Sequence, residues 1–299
     1  MRLKPRGGKS RRWLVILALL LLIIAAVLGG CAESGGETEA LPAEGTARVT
    51  YLDAGQADVT LIQSDKGHAV LIDTGLKDNA EQLVSDLCRL GVTDIDVLVL
   101  THGHSDHMGG AVTVMEAFPV EKIYLSPQAS GSNFYKKTLT TIDKLKIPAD
   151  IPKFGSTFAV DDLTFTVVGP VDTADQEKIN NSSIVLRMTH GGDAFLFPAD
   201  AEKKEENDMM GAGANLSCDV LKVGHHGSKT SSSDDFLTLC GARCKIAVIS
   251  VGKDNPYGAP HDKTLKALER HHMTVYRTDQ NGEITINSTG NGVSVVTEK

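Results

Sequence analysis

Thr101-His102-Gly103-His104-Ser105-Asp106-His107-Met108-Gly109-Gly110 follows directly on Ile95-Asp96-Val97-Leu98-Val99-Leu100, an apolar run that reads as a buried strand. Three imidazoles and a carboxylate, His102, His104, Asp106 and His107, therefore fall within six positions where a strand ends and a turn carries side chains out of the sheet rim. Neutral imidazole nitrogens and carboxylate oxygens suit zinc, iron or manganese, and the alternation 102, 104, 106 keeps several of them on one side of an extended segment. A single histidine here would be an ordinary satisfied residue. Four ligand-type side chains so close together point to a metal. Gly109 and Gly110 allow a tight entry into a following helix.

Two further apolar runs end in the same chemistry. Ala194-Phe195-Leu196-Phe197-Pro198-Ala199-Asp200 closes on a carboxylate, as a ligand shared between two cations requires, although Asp200 alone would also serve as an N-cap for a helix at 201–210. Leu221-Lys222-Val223-Gly224 leads into His225 and His226. Ligands at three strand ends, distant in sequence, suit one rim of a layered structure.

The surrounding pattern supports such layers. Strands are predicted at 49–52, 59–63 and 69–72 as a meander, then a helix at 76–90 ended by Gly91. After the strand at 95–100 come helices at 110–118 and 134–145, with a strand at 121–125 between them. Strands at about 157–168, 183–189 and 194–198 follow, then helices at 201–210, 234–240 and 262–271 alternating with strands at 220–223, 245–251 and 273–277. Strands at 283–287 and 293–297 close the chain. Two sets of mostly consecutive strands interleaved with helices fit the α/β class, as an αββα four-layer sandwich over residues 47–299.

The N-terminal segment stands apart. Six basic residues between Arg2 and Arg12 precede an apolar run, Trp13–Leu28, that is shorter than the roughly twenty residues of a spanning helix. Leu28-Gly29-Gly30-Cys31 resembles a bacterial lipobox, so residues 1–31 are expected to form a lipoprotein signal peptide with a lipidated Cys31. An uncleaved anchor is the alternative. Both place the remainder outside the cytoplasmic membrane and tethered to it, because the basic flank stays inside. Residues 32–46, small and acidic, read as a flexible linker.

Of the 30 Lys and Arg, six lie in residues 1–30, with none of the 38 Asp and Glu, so the rest carries 24 minus 38, a formal charge of −14. An acidic body disfavours non-specific binding to a polyanion. Besides Cys31 there are Cys88, Cys218, Cys240 and Cys244, which allow three disulfide pairings among themselves, or simply buried thiols.

YLDAGQADVTLI (51–62), VLIDTG (70–75), THGHSDHMGG (101–110), NNSSIVLRM (180–188), DVLKVGHHGS (219–228), VISVGKDNPYGAPH (248–261) and VYRTDQNGEI (275–284) together resemble the successive motifs of the metallo-β-lactamase superfamily, in the form found in ComEC-type competence proteins and their stand-alone relatives. The resemblance implies a metallo-β-lactamase fold and two divalent metal ions, Zn or Mn. By position it makes His102 and His104 ligands of the first, Asp106 and His107 ligands of the second, and Asp200 the bridging carboxylate. His225, with His226 as the other candidate, takes the last histidine position. Asp73 is expected to orient the histidine turn, and Asp53 and Gln56 to lie near the cleft.

The chain departs from the pattern at three points. The superfamily often has one more histidine before the bridging aspartate; the only histidine in that interval, His190, reads as exposed at a hairpin, leaving Asn180 or Asn181 for the place. Ala199 stands where glycine is usual, and GQGD is here GQAD.

A cation pair would activate a water and polarise the substrate. Asp106 is the candidate proton acceptor, and His226, Lys229 and His261, with Ser228, are candidates to face the substrate and stabilise transition-state charge. The expected activity is extracytoplasmic, membrane-anchored hydrolysis of phosphodiesters, DNA taken up in competence among them. Alternatives are hydrolysis of a phosphorylcholine ester, another small phosphodiester, a lactam or an ester, and a non-catalytic surface binding protein that keeps the metals for stability.

Overall fold

The computed structural model describes residues 38–171 and 179–299. Strands β1 (Ala47–Tyr51), β2 (Thr60–Ser64), β3 (Ala69–Ile72), β4 (Ile95–Leu100), β5 (Val120–Leu125) and β6 (Ala149–Asp150) build most of the first sheet. The second contains β7 (Thr157–Val160), β8 (Leu163–Gly169), β9 (Val185–His190), β10 (Asp193–Phe197), β11 (Val220–Lys222), β12 (Ile246–Ile249) and β13 (Thr274–Arg277). The chain then returns to the first sheet with β14 (Ile284–Ser288) and β15 (Val293–Thr297), giving the orders 15-14-1-2-3-4-5-6 and 13-12-11-10-9-8-7.

Period-two alternation splits each strand between two cores. Val49 and Tyr51 of β1, Val97 and Val99 of β4, and Phe195 and Phe197 of β10 meet between the sheets. Leu71 of β3 and Leu98 and Leu100 of β4 point the other way, against Leu83 and Leu87 of the Ala80–Arg89 helix and Val114 of the Ala111–Ala117 helix. On the far side Leu196, Leu221 and Ala247 meet Phe236 and Leu237 of the Asp234–Cys240 helix and Leu268 of the Asp262–Arg270 helix. The result is the expected αββα sandwich.

Two local expectations change, and one alternative left open is decided. The strand read at 157–168 is a hairpin, β7 and β8, turned by Asp161 at φ 53°. His190 is 5% exposed, because its Nδ1 bonds the Ser288 hydroxyl at 2.8 Å and its Nε2 lies 3.3 Å from Asp162, so the return of β14 buries what reads as a hairpin tip. Cys218, Cys240 and Cys244 are free thiols in the outer core of the second sheet.

The signal peptide and Cys31 lie outside the described residues, as does the start of the predicted linker. From Thr38 that stretch is tied to the body: Glu39 N–H donates to Arg89 O at 2.8 Å, and its carboxylate pairs with Arg48 and Arg89. Among the described residues no helix is long and apolar enough to cross a membrane.

Candidate metal centre

The histidine turn is held from behind by Asp73, just past β3 at φ 60°. Its Oδ1 accepts the Thr101 N–H at 2.8 Å, and its Oδ2 accepts the Thr101 hydroxyl at 2.6 Å and His107 Nδ1–H at 2.7 Å. These bonds fix the His107 tautomer and turn Nε2 into the cleft. Gly109 is required by close approach, since a Cβ there would fall 2.6 Å from Lys77 N.

From the opposite sheet, Asp200 follows β10 and His226 follows β11, at the same rim. His225 and His226 both sit in the left-handed region, φ 49° and 52°, an uncommon conformation for consecutive residues with side chains. The kink presents the two imidazoles on different sides of Asp200. His226 Nδ1–H donates to Ser250 O at 2.9 Å, which leaves Nε2 3.3 Å from Asp106 Oδ2 and 4.0 Å from Asp200 Oδ1.

Ligand-type atoms of Asp106, His107, Asp200 and His226 lie within 4.8 Å of one another, and so do those of His102, His104 and Asp200. Asp200 gives one oxygen to each group. Oδ1 is 3.3 Å from His107 Nε2, whereas Oδ2 is 3.7 Å from His102 Nε2 and 3.6 Å from His225 Nε2. His225 Nδ1 is steadied by the Thr230 hydroxyl at 3.1 Å.

The residues fit a pair of cations. His107 Nε2, Asp200 Oδ1 and His226 Nε2 are all buried and lack a hydrogen-bond partner, a costly state unless the atoms converge on an ion. Titration behaviour follows from the same crowding. Burial alone would suppress the His226 imidazolium, but Asp58, Asp106 and Asp200 raise its pKa to about 10. Burial likewise works against the carboxylate of Asp106, yet the His226 imidazole 3.3 Å away and the His107 charge bring it down to about 2. His102 goes the other way, depressed by burial and then by His107.

The cleft beside these groups is about 450 Å³ and is lined by Gln56, His104, Ser105, Asp106, Asp200, His225, His226, Ser228, Tyr257, Ala259 and His261. Gln56, Asp106, His226 and His261 are thus placed as expected. His226, rather than His225, joins Asp106 and His107; His225 stands on the side of His102. Lys229 is not in the cleft: it is exposed and lines the neighbouring recess, although its N–H donates to His261 Nδ1 at 3.3 Å. Asp53 is not there either. The Leu52–Asp58 loop buries Ala57 and Asp58 and leaves Asp53 exposed, its nearest charged neighbour Lys299 at 3.9 Å. Asn181 Oδ1 accepts the Glu202 backbone N–H at 3.0 Å, and Asn180 Nδ2 donates to the Glu202 carboxylate at 3.5 Å, so both bond Glu202 and neither bonds a ligand group.

Sequence reasoning missed Asp58 and Lys222. Asp58 is 5% exposed, with Oδ2 2.9 Å from Lys222 Nζ and Oδ1 3.3 Å from His226 Nδ1. The available signal was a lysine inside an otherwise apolar strand, which demands a buried partner.

Comparison with known proteins agrees with this centre. The family profile described as Metallo-beta-lactamase superfamily matches residues 52–251. ComE operon protein 3 of Bacillus subtilis is 34% identical over 253 residues, covering 79% of this chain and 32% of that protein. Recombination protein 2 of Haemophilus influenzae is 33% identical, covering 81% and 29%. Competence protein ComA of Neisseria gonorrhoeae is 33% identical, covering 94% and 36%. The chain spans about a third of the length of these relatives. Among solved structures, the metallo-beta-lactamase fold protein YhfI from Bacillus subtilis superposes with TM-score 0.52 at 14% identity, covering 81% of this chain and 99% of that one. Tm1679, described as a metal-dependent hydrolase of the beta-lactamase superfamily, gives 0.51 at 12% identity, covering 80% and 98%. With its fold, its rim of imidazoles and carboxylates and this profile in agreement, the chain belongs to the metallo-beta-lactamase superfamily of metal-dependent hydrolases.

Proposed function

We propose that the protein is a phosphodiesterase that works with two divalent cations, outside the cytoplasmic membrane, on a lipid anchor at Cys31. The observation that carries the reading is the division of Asp200 between two ligand groups, one oxygen to each. When bound, a cation pair supplies Lewis acidity toward a phosphoryl oxygen and acidifies a water, the chemistry that phosphatases and nucleases use.

The protein's own residues do the rest. Asp106, His107, Asp200 and His226 would hold one cation; His102, His104, Asp200 and His225 would hold the other. Asp73 and Ser250 O fix His107 and His226 as Nε2 ligands. Asp106, whose Oδ2 faces His226, also lines the cleft, and it accepts the proton that the reaction releases. His261, Ser228 and Tyr257, at the open side, hydrogen-bond the substrate's non-bridging oxygens. Nucleic acid is the favoured substrate because relatives that share this domain carry competence and recombination names.

The full chain, loaded with Mn²⁺ or Zn²⁺, is to be assayed on bis-p-nitrophenyl phosphate, single-stranded DNA and the lactam nitrocefin. Cleavage of both phosphodiesters supports the proposal. Turnover of nitrocefin alone, or of none with metal bound, refutes it.

A further inference from the structure

Beside the cleft, across a wall formed by residues 228–230 and 261–264, lies a second recess of about 230 Å³. The wall is tied together by the Thr264 hydroxyl donating to Ser228 O at 3.0 Å and by Lys203 N–H donating to Thr230 O at 3.0 Å. Ser228 and His261 line the cleft; Lys229 and Lys263 line the recess, with Lys203 and Arg270.

The charge of this recess is unlike that of the protein around it. Asp234 and Asp235 also line it; Asp234 is neutralised by Arg270, at 2.8 and 2.9 Å, which leaves Lys203, Lys229 and Lys263 against the one carboxylate of Asp235 and the recess net positive. Lys203, Lys229 and Lys263 are exposed and have no carboxylate partner among the described residues, in a body whose formal charge is −14. Lys203 approaches Lys263 closely enough to hold its ammonium below the usual lysine pKa. Like charges brought together on a surface rich in carboxylates leave a place that an anion would relieve.

We infer that this recess binds a backbone phosphate of a phosphodiester chain whose neighbouring linkage occupies the cleft. This rests on the phosphodiesterase reading and narrows it: the preferred substrate has more than one linkage, and the lysines hold the flanking part while the reacting bond lies beyond the wall. The acidic remainder of the surface keeps long polyanions from binding elsewhere, so the lysines fix the direction in which a strand enters.

The test uses the metal-loaded full chain, the Lys203→Gln/Lys263→Gln variant, and a cleavage-resistant phosphorothioate oligothymidylate of about twenty nucleotides. Single-strand binding carries about 0.7 of salt-dependence slope per phosphate neutralised, so losing the one phosphate held by the two lysines should lower the slope by about 0.7 and weaken low-salt binding several-fold. KM for the cleavable oligonucleotide should rise with kcat unchanged, while turnover of bis-p-nitrophenyl phosphate stays at the wild-type rate. Equal binding by variant and wild type, with bis-p-nitrophenyl phosphate still cleaved, overturns the recess and leaves the phosphodiesterase standing. Lysine-dependent binding without cleavage of any phosphodiester keeps the recess and overturns the phosphodiesterase.

Discussion

Asp58 and Lys222, 164 residues apart in the chain, form a buried ion pair at 2.9 Å directly behind His226. Each comes from a different sheet region, Asp58 from the loop before β2 and Lys222 from the end of β11, so the pair pins the two sheets at the rim that carries the ligands. Removing one partner strands the other charge. Asp58→Asn is expected to destabilise the fold by about 3–5 kcal/mol, and Asp58→Asn with Lys222→Met by less than either single change. Urea unfolding of the three variants checks this; an additive double variant would mean the charges do not interact.

His104→Ala and Asp200→Ala should each abolish metal-dependent turnover with the far-ultraviolet circular dichroism unchanged. Because Asp200 serves both groups, its variant should lose both cations, whereas His104→Ala and His225→Ala should each lose about one per chain. Elemental analysis of the purified variants counts them.

Cation loading at pH 7.5 should release protons. In the cation-free protein His226 titrates near 10, above its ordinary value, so its ionic contacts contribute stability fully below about pH 6.5, and that contribution fades as pH rises toward 10. A metal needs the neutral imidazole, so binding expels the proton and affinity rises with pH. Calorimetry in buffers of different ionisation enthalpy measures the release; no buffer dependence would refute it.

Ala199, immediately before Asp200, holds φ 48°. A side chain there costs roughly 1–2 kcal/mol relative to an unstrained residue, and glycine carries no such penalty. Ala199→Gly is therefore expected to raise stability by about 1 kcal/mol and to leave metal binding intact, read as a shift in thermal midpoint. A lower midpoint would place the strain elsewhere.

For the anchor, Cys31→Ser should block processing or release the protein from membranes, read by fractionation and mass. Unchanged membrane attachment would instead support an uncleaved helix.

Much of this centre was legible because its ligands are concentrated. His102, His104, Asp106 and His107 share one turn, and the strand before it announces where the turn must sit. Asp200 was legible as a carboxylate at a strand end. What could not be read was orientation. His225 and His226 are adjacent in sequence and chemically identical; only a backbone held at positive φ through both sends one to each side of Asp200. The same holds for Asp53 and Asp58, separated by five positions in one loop, where burial of Ala57 draws the second inward. Lys229 looked like a cleft residue because it follows Ser228, yet the two line opposite sides of one wall, Ser228 the cleft and Lys229 the recess. His190 was misread because the strand end that buries it arrives 98 residues later.

Pairing of β1 with β14 has a bearing on how the molecule is made. Ala47–Tyr51 emerges long before its partner Ile284–Ser288, with the whole second sheet synthesised between them. Until then one edge of the nascent ribbon stays unzipped, an invitation to stray strand exchange with other chains. A ribosome that stalls before residue 284 therefore leaves a product with every ligand present and a sheet that cannot be sealed.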